Sequence, residues 1–368
     1  MKYPAILSFP EVLPQLDRFD AVIDVRSPAE FAEDHIPGAI NCPVLGDEER
    51  KRVGTLYKQV NAFEAKKLGA ALIARNISRH IESQFLAQGR GWKPLVYCWR
   101  GGNRSSAMAH ILGQIGWPVA QLDGGYKEYR RHVIAALAEL PQRFSYRVVC
   151  GTTGSGKSRL LQTLAAKGAQ VLDLEQLAAH RGSILGHLPG TPQPSQKAFE
   201  SSLWKTLRRF DPSRPVFIES ESKKVGNLRV PEALMEAMRA SACVSLTLSL
   251  PNRVALLMQD YDYFVANPAI LNTQLDCLLT LHGREKIGRW QALALSGKME
   301  ELVEALLRDH YDPAYMRSID RNFALFLQAQ QLALDGIDAP HFEHAAEGLL
   351  QRCSICPPGM FEKQSNPP

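Results

Sequence analysis

The 368-residue chain contains no run approaching the roughly 18 consecutive apolar residues of a membrane-spanning helix; the best window, Ala242 to Leu250, is short and broken by hydroxyls. Met1-Lys2-Tyr3-Pro4-Ala5 lacks a basic segment followed by an apolar core and a small-residue cleavage site, so no secretory signal is expected. Cysteines are few, and their number, seven, is odd. Spread over a long chain, they predict free thiols in a reducing compartment, and a cytoplasmic enzyme is the expectation. No internal repeat, low-complexity tract or Asn-Lys-x-Asp guanine-reading element is found, which argues against solenoids and GTPases. Charged residues at 22% and apolar residues at 45% exclude global disorder. The net charge of +5 is too small to demand a nucleic-acid partner, although it is compatible with one.

At about 150 residues per domain, the length predicts two or three domains. Short apolar runs alternate with amphipathic stretches through the first 250 residues. Ala21–Val25, Leu95–Tyr97, Arg147–Cys150, Val171–Leu174, Val216–Ile218 and Val244–Leu250 read as buried strands. Strands interleaved with helices predict an α/β protein with parallel sheets covered on both faces. A boundary is expected where Leu140-Pro141 ends a helix. Beyond Pro251 the chain reads as helices, including Leu293–Leu307 and Ile319–Leu334. The expected divisions are 1–140, 141–250, a helical extension over 251–356, and a disordered tail over 357–368.

The segment Cys98-Trp99-Arg100-Gly101-Gly102-Asn103-Arg104-Ser105 follows a strand and precedes a helix expected to begin near Ser105. A cysteine at such a turn faces converging backbone N–H groups and a positive helix end, both of which favour a thiolate and a neighbouring anion. Gly101 and Gly102 let the amides point inward, and Arg104 is suited to grip a tetrahedral oxyanion. This region resembles the rhodanese family. Asp24–Phe31 with His35–Asn41 looks like its N-terminal signature, and Leu122–Tyr126 like its closing motif. The resemblance covers residues 10–135 and implies Cys98 as a chalcogen-carrying nucleophile. Sulfur-transferring members tend to have a six-residue loop, whereas Cys98 to Arg104 spans seven, as in phosphatases of the same fold. A longer loop admits a phosphate-like anion, which leaves a phosphatase or a transferase with a phosphate-analogue donor.

Gly151-Thr152-Thr153-Gly154-Ser155-Gly156-Lys157-Ser158 satisfies G-x-x-x-x-G-K-[ST] between a strand and a helix. Backbone amides in such a loop wrap a diphosphate, Lys157 neutralises its charge, and Ser158 can ligate Mg²⁺. Glu219 and Glu221, at a strand end, are the expected carboxylates around that Mg²⁺, with Asp173 a weaker candidate. The loop specifies a diphosphate; it does not by itself specify ATP. No tightly bound organic cofactor and no structural metal is expected.

The pairing of both units resembles the bacterial tRNA 2-selenouridine synthase family. Further matching stretches are Glu49–Gln59, Leu68-Gly69, Asp173-Leu174-Glu175, His180–Ser183, Gln193–Phe199, Glu219–Ser222 with Gly226, and Tyr311-Asp312-Pro313, so that coverage is about residues 5–335. The resemblance implies a reaction at the wobble uridine of tRNA. The 2-thiouridine sulfur is alkylated by geranyl diphosphate, and selenium from selenophosphate then displaces the geranylthiol to give 2-selenouridine. The alternative is a sulfurtransferase or rhodanese-fold phosphatase fused to a P-loop kinase; a non-enzymatic RNA adaptor is disfavoured by intact Cys98, Lys157 and Ser158. His180 and Arg181 are the leading RNA-contact candidates, followed by Arg208-Arg209, Lys223-Lys224 and Arg229, with Trp204 or Tyr261 for stacking. His341 and His344 with Cys353 and Cys356 have zinc-ligand chemistry but unusually tight spacing, and incidental thiols are the expectation. Cys42, Cys150, Cys243 and Cys277 are expected to be inert.

Overall fold

The computed structural model describes residues 3–355. The chain divides into two compact units. The first runs to Ala136 and also includes Ser195–Lys205; the second takes Leu137–Pro194 and the chain from Thr206 onward. The division therefore falls inside the helix Gly125–Glu139, just before the proline that suggested a boundary.

In the first unit, β1 (Ala5–Leu7), β2 (Ala21–Asp24), β3 (Ile40–Asn41), β4 (Pro94–Tyr97) and β5 (Ala120–Leu122) form a parallel sheet in the order β1-β5-β4-β2-β3. Every residue of β4 is buried, which is why it reads as an unbroken apolar run. Its core gathers Ile23, Val25, Ile77, Val96, Met108 and Leu112 around Cys98. Under the sheet's chemistry lies a buried ion pair: Arg26 donates to Asp24 at 2.6 Å, with the two side chains 1% and 0% exposed. The Arg26 guanidinium also lies 3.9 Å from the centre of the Tyr126 ring. The segment Ser195–Lys205 belongs to this unit because Trp204, 2% exposed, packs its ring against Phe9, Tyr129 and His132. Arg130 pairs with Glu200 on the same helix, Gln196–Leu207.

The second unit contains β6 (Tyr146–Cys150), β7 (Gln170–Leu172), β8 (Val216–Glu219), the short pair β9 (Lys224–Val225) and β10 (Leu228–Arg229), β11 (Ala242–Leu248) and β12 (Gln330–Leu334). Its main sheet is parallel, in the order β12-β11-β6-β8-β7. β12 corrects the expectation of a helix over Ile319–Leu334. The helix there is Asp312–Asn322, and Gln330–Leu334 then pairs with β11. Leu332 and Leu334 face the core while Gln331 and Ala333 face out, a two-residue period too short to be distinguished from the end of a helix in sequence. The stretch Leu293–Leu307 is likewise broken at Ser296-Gly297 into the helices Leu279–Leu295 and Met299–Leu306. Two strand ends also shift. Asp173 accepts from Gln176 N at 2.7 Å and caps the helix Leu174–Leu177, and Ser249 caps the helix Leu250–Asp260. No helix among the described residues is long and apolar enough to cross a membrane.

Candidate functional site

Cys98 sits immediately after β4, 3% exposed, at the entrance to the helix Asn103–Ile115. Ser105 Oγ donates to Cys98 Sγ at 3.2 Å and is also 3.1 Å from Gly102 O. The sulfur thus faces a hydroxyl donor and the start of a 13-residue helix. Gln121 Nε2 holds the far side of the loop by donating to Gly101 O at 2.6 Å and to Ser106 Oγ at 3.1 Å. Tyr126 N donates to Cys98 O at 2.8 Å, and Lys127 N to Trp99 O at 3.0 Å, so the closing motif supports the loop from below. Gly125, at φ +57°, permits this approach, because a Cβ there would lie 2.6 Å from Gly101 N. The Trp99 ring is half-buried, 5.3 Å from that of Tyr126, while Arg100, Gly102 and Asn103 are exposed.

Arg104 does not lie free over the loop. Its Nη1 donates to Glu30 Oε2 at 2.8 Å, and Arg50 Nε reaches the same oxygen at 3.0 Å. Burial works against the Glu30 carboxylate, but the hydrogen bond and charge of Arg104, aided by Arg50, hold its pKa below the usual value.

In the second unit the phosphate loop connects β6 to the helix Lys157–Ala166. Lys157 Nζ donates to Gly151 O at 2.7 Å and stands 5.6 Å from the Tyr315 ring centre. Ser158 Oγ donates to Glu175 Oε2 at 2.9 Å, and Glu175 N donates to Glu219 Oε1 at 2.8 Å. Glu219 Oε2 is buried without a hydrogen-bond partner among the described residues. Burial, reinforced by mutual repulsion, pushes Glu175, Glu219 and Glu221 upward, Glu221 to about 8, with Lys157 opposing the shift at Glu175 and Glu221. Gly182, at φ +66°, closes the cluster: a Cβ there would lie 2.6 Å from both Glu175 Oε1 and Glu221 Oε1. Lys157, Ser158, Glu175, Gly182 and Glu221 line a cavity of about 300 Å³, with Glu219 buried behind them. A second, narrower cavity of about 60 Å³ shares Thr153, Ser183, Leu257, Tyr261 and Tyr311 with it, and is otherwise walled by side chains such as Met258, Phe264, Leu271, Met299, Leu302 and Leu306. No group of three or more His, Cys, Asp or Glu among the described residues is arranged to hold a metal by itself.

Several site residues are not singled out by the motif alone. Tyr315 OH accepts from Gly151 N at 2.5 Å and lies 3.2 Å from Ser220 Oγ. Arg253, 7% exposed, donates to Thr153 O at 2.9 Å and grips both oxygens of Asp312 at 3.0 and 2.6 Å. The Tyr311-Asp312-Pro313 stretch was their sequence signal. Glu175, rather than Asp173, is the carboxylate on Ser158.

The expected RNA contacts fare unevenly. His180 is a correction: it is 3% exposed, its ring packs 4.8 Å from that of His187, and burial with His187 lowers its pKa to about 4. Trp204, offered for stacking, is core. Arg181 is half-buried, 3.7 Å from Asp260 and 4.8 Å from the Tyr261 ring centre. Lys223 and Lys224 are exposed, with Lys223 at 3.4 Å from Glu232. Cys42, Cys150 and Cys243 are buried, whereas Cys277 is exposed, contrary to its apolar neighbourhood in sequence. His341 and His344 are exposed on the helix Ala339–Ile355; Cys356 and the 357–368 tail lie outside the described residues.

A family model described as the tRNA 2-selenouridine synthase AAA domain matches residues 144–274, and a rhodanese-like domain model matches residues 9–132. A tRNA 2-selenouridine synthase of Marinobacter nauticus is 33% identical over 80% of this chain and 87% of its own length. The solved N-terminal domain of a putative ATP/GTP binding protein from Clostridium difficile 630 is 34% identical over 35% of this chain and 99% of that one, with a TM-score of 0.31. The protein named tRNA 2-selenouridine synthase in Nitrosomonas eutropha is 36% identical over 86% of this chain and 94% of its own length, and the chain belongs to that enzyme family.

Proposed function

We propose that the protein modifies the wobble uridine of tRNA in two steps, converting 2-thiouridine to 2-selenouridine through an S-geranyl intermediate. The observation that carries the prenyl step is the apolar cavity joined to the phosphate pocket. A nucleotide-hydrolysing site needs polar groups for base and ribose, whereas a prenyl diphosphate needs an anion cradle continuous with an apolar slot. The cavity is narrow, and a geranyl chain enters by displacing Met258 and Met299, whose unbranched side chains adapt readily.

In the first step the thiouridine sulfur forms a bond to geranyl C1 as the C1–O bond breaks. Pyrophosphate leaves, and the N3 proton is lost to solvent or base. Loop amides and Lys157 stabilise the departing charge. The carboxylates also fit Mg²⁺: the Glu219 Oε2 orphan and the raised carboxyl pKa values mark acidic oxygens short of a cation. Mg²⁺ characteristically takes only one or two protein oxygens, with phosphate and water completing its shell. Ser158 with Glu175, Glu219 and Glu221 would hold it, directly or through water, and it would supply charge neutralisation of the diphosphate.

In the second step selenophosphate, a tetrahedral oxyanion, is received at the Cys98 loop, where the Cys98 side chain assists delivery of its selenium. Selenium bonds to uridine C2, the C2–S bond breaks, geranylthiolate departs and takes a proton, and water cleaves the Se–P bond to release phosphate. Alkylation matters because a thiocarbonyl sulfur is a poor leaving group and a thiolate is a good one.

The test is mass spectrometry of nucleosides from 2-thiouridine tRNA incubated with protein, Mg²⁺, geranyl diphosphate and selenophosphate, omitting each donor in turn. A geranylated nucleoside that becomes 2-selenouridine only with selenophosphate is the expected result. Unchanged 2-thiouridine in RNA shown to bind would overturn the reading in favour of a sulfurtransferase or phosphatase.

A further inference from the structure

A groove runs beside the helix that carries the Cys98 loop, wholly within the first unit. Its volume is about 610 Å³, and Leu45, Val53, Tyr57, Ile73, Ala107 and Ile111 are among its walls. Asn103 and Arg104 stand at its end, one residue before the Ser105 hydroxyl that touches Cys98 Sγ. Two helices, Asp47–Gln59 and Ala62–His80, form the other side. They face each other at Gly69, where a Cβ would make ordinary van der Waals contact with Val53 Cγ1 at 3.5 Å.

The charge around this groove is distinctive. Arg50, Lys67 and Arg75 are ion-paired with Glu30, Glu64 and Glu49. Lys51, Arg52, Lys58 and Lys66 are exposed and, among the described residues, have no ion-pair partner. Near the turn between the helices, Tyr57, Val60 and Phe63 are 56%, 73% and 66% exposed. Apolar walls bordered by uncompensated cations match a ligand that joins an apolar chain to a polyanion.

We infer that this groove holds the prenyl chain of S-geranylated RNA during the selenium step, with the flanking phosphates on the Lys51, Arg52, Lys58 and Lys66 side and the modified base turned toward the Cys98 loop. The inference rests on the proposed prenyl intermediate and assigns that intermediate a second binding place, separate from the cavity beside the phosphate loop. Holding the chain orients C2 for attack, and the groove receives geranylthiol as it leaves.

Ala70 and Ala74 line the groove from exposed helical positions, so Ala70→Trp and Ala74→Trp fill it without burying a new group in the core. The assay follows selenium incorporation from selenophosphate into two anticodon stem-loops, one bearing S-geranyl-2-thiouridine and one S-methyl-2-thiouridine. Anisotropy binding of both RNAs is measured alongside. In the unsubstituted protein the geranyl RNA is expected to bind and react at least tenfold better than the methyl RNA. Either tryptophan variant is expected to reduce that ratio about tenfold, a change that a general folding defect does not produce. Lys51→Glu with Arg52→Glu should weaken both RNAs alike and flatten the salt dependence of binding. An unchanged ratio in a protein that converts both RNAs overturns the groove assignment alone. Failure to convert or to prefer the geranyl RNA at all overturns the prenyl reading beneath it.

Discussion

Glu221 should be a residue that the fold tolerates at a cost to stability, and Glu221→Gln tests that directly. Its carboxyl lies on the phosphate cavity beside Glu175, and burial followed by the Glu175 charge raises its pKa from 4.5 to about 8. A carboxyl whose folded pKa is raised keeps full stability below its unfolded pKa and loses it as pH climbs toward the folded value. The relevant window is therefore pH 4.5 to 8. At pH 7, some 2.5 units above the unfolded pKa, 1.36 kcal/mol per unit gives roughly 3 kcal/mol, which partial access through the cavity reduces to about 2 kcal/mol. The isosteric amide avoids that cost. Urea unfolding, read by hydrogen exchange in peptides spanning β6–β8, should show Glu221→Gln more stable than the unsubstituted protein at pH 7–8 and indistinguishable near pH 4.5. Added Mg²⁺ with pyrophosphate should narrow the gap by stabilising the protein that retains the carboxylate. A destabilised variant, or a gap independent of pH, would refute the electrostatic reasoning.

Cys98→Ser should end selenium incorporation while leaving S-geranylation largely intact, as judged by nucleoside mass spectrometry; loss of both steps in a folded protein would show that the two chemistries are not divided as proposed. Lys157→Ala removes the charge-assisted contact proposed with the diphosphate, worth about 1.5–3 kcal/mol. It should weaken pyrophosphate binding by one to two orders of magnitude in calorimetry, with the Cys98 loop's chemistry on pre-geranylated RNA retained. Arg26→Ala strands the fully buried Asp24 carboxylate, so the first unit should lose about 3–5 kcal/mol in denaturant unfolding. Replacing both partners with apolar residues of similar volume should recover much of that loss, and equal damage from single and double variants would contradict the desolvation argument.

The strand–loop–helix placement of both loops was legible in the sequence because it is local. Cys98 through Ser105 and Gly151 through Ser158 each carry their thiol or cation, their glycines and their following helix within one short segment, and backbone geometry over such a span is set by neighbours along the chain. The buried strands β2, β4, β6 and β8 were legible for a related reason: burial on both faces leaves an apolar run. What the tertiary structure decided is whatever depends on partners distant in sequence. β12 becomes a strand because β11 offers an open edge to Gln330–Leu334. Trp204 looks like a surface contact in sequence and is buried by the ring of Tyr129 from elsewhere in its own unit. Arg104 meets Glu30 across 74 residues, and Gly151 meets Tyr315 across 164. The clustering of Glu175 and Glu221 around Gly182, like the apolar cavity next to them, arises from packing of separate segments. Sequence determined which groups could do chemistry; the fold determined their charge, their neighbours and the shape of what they can hold.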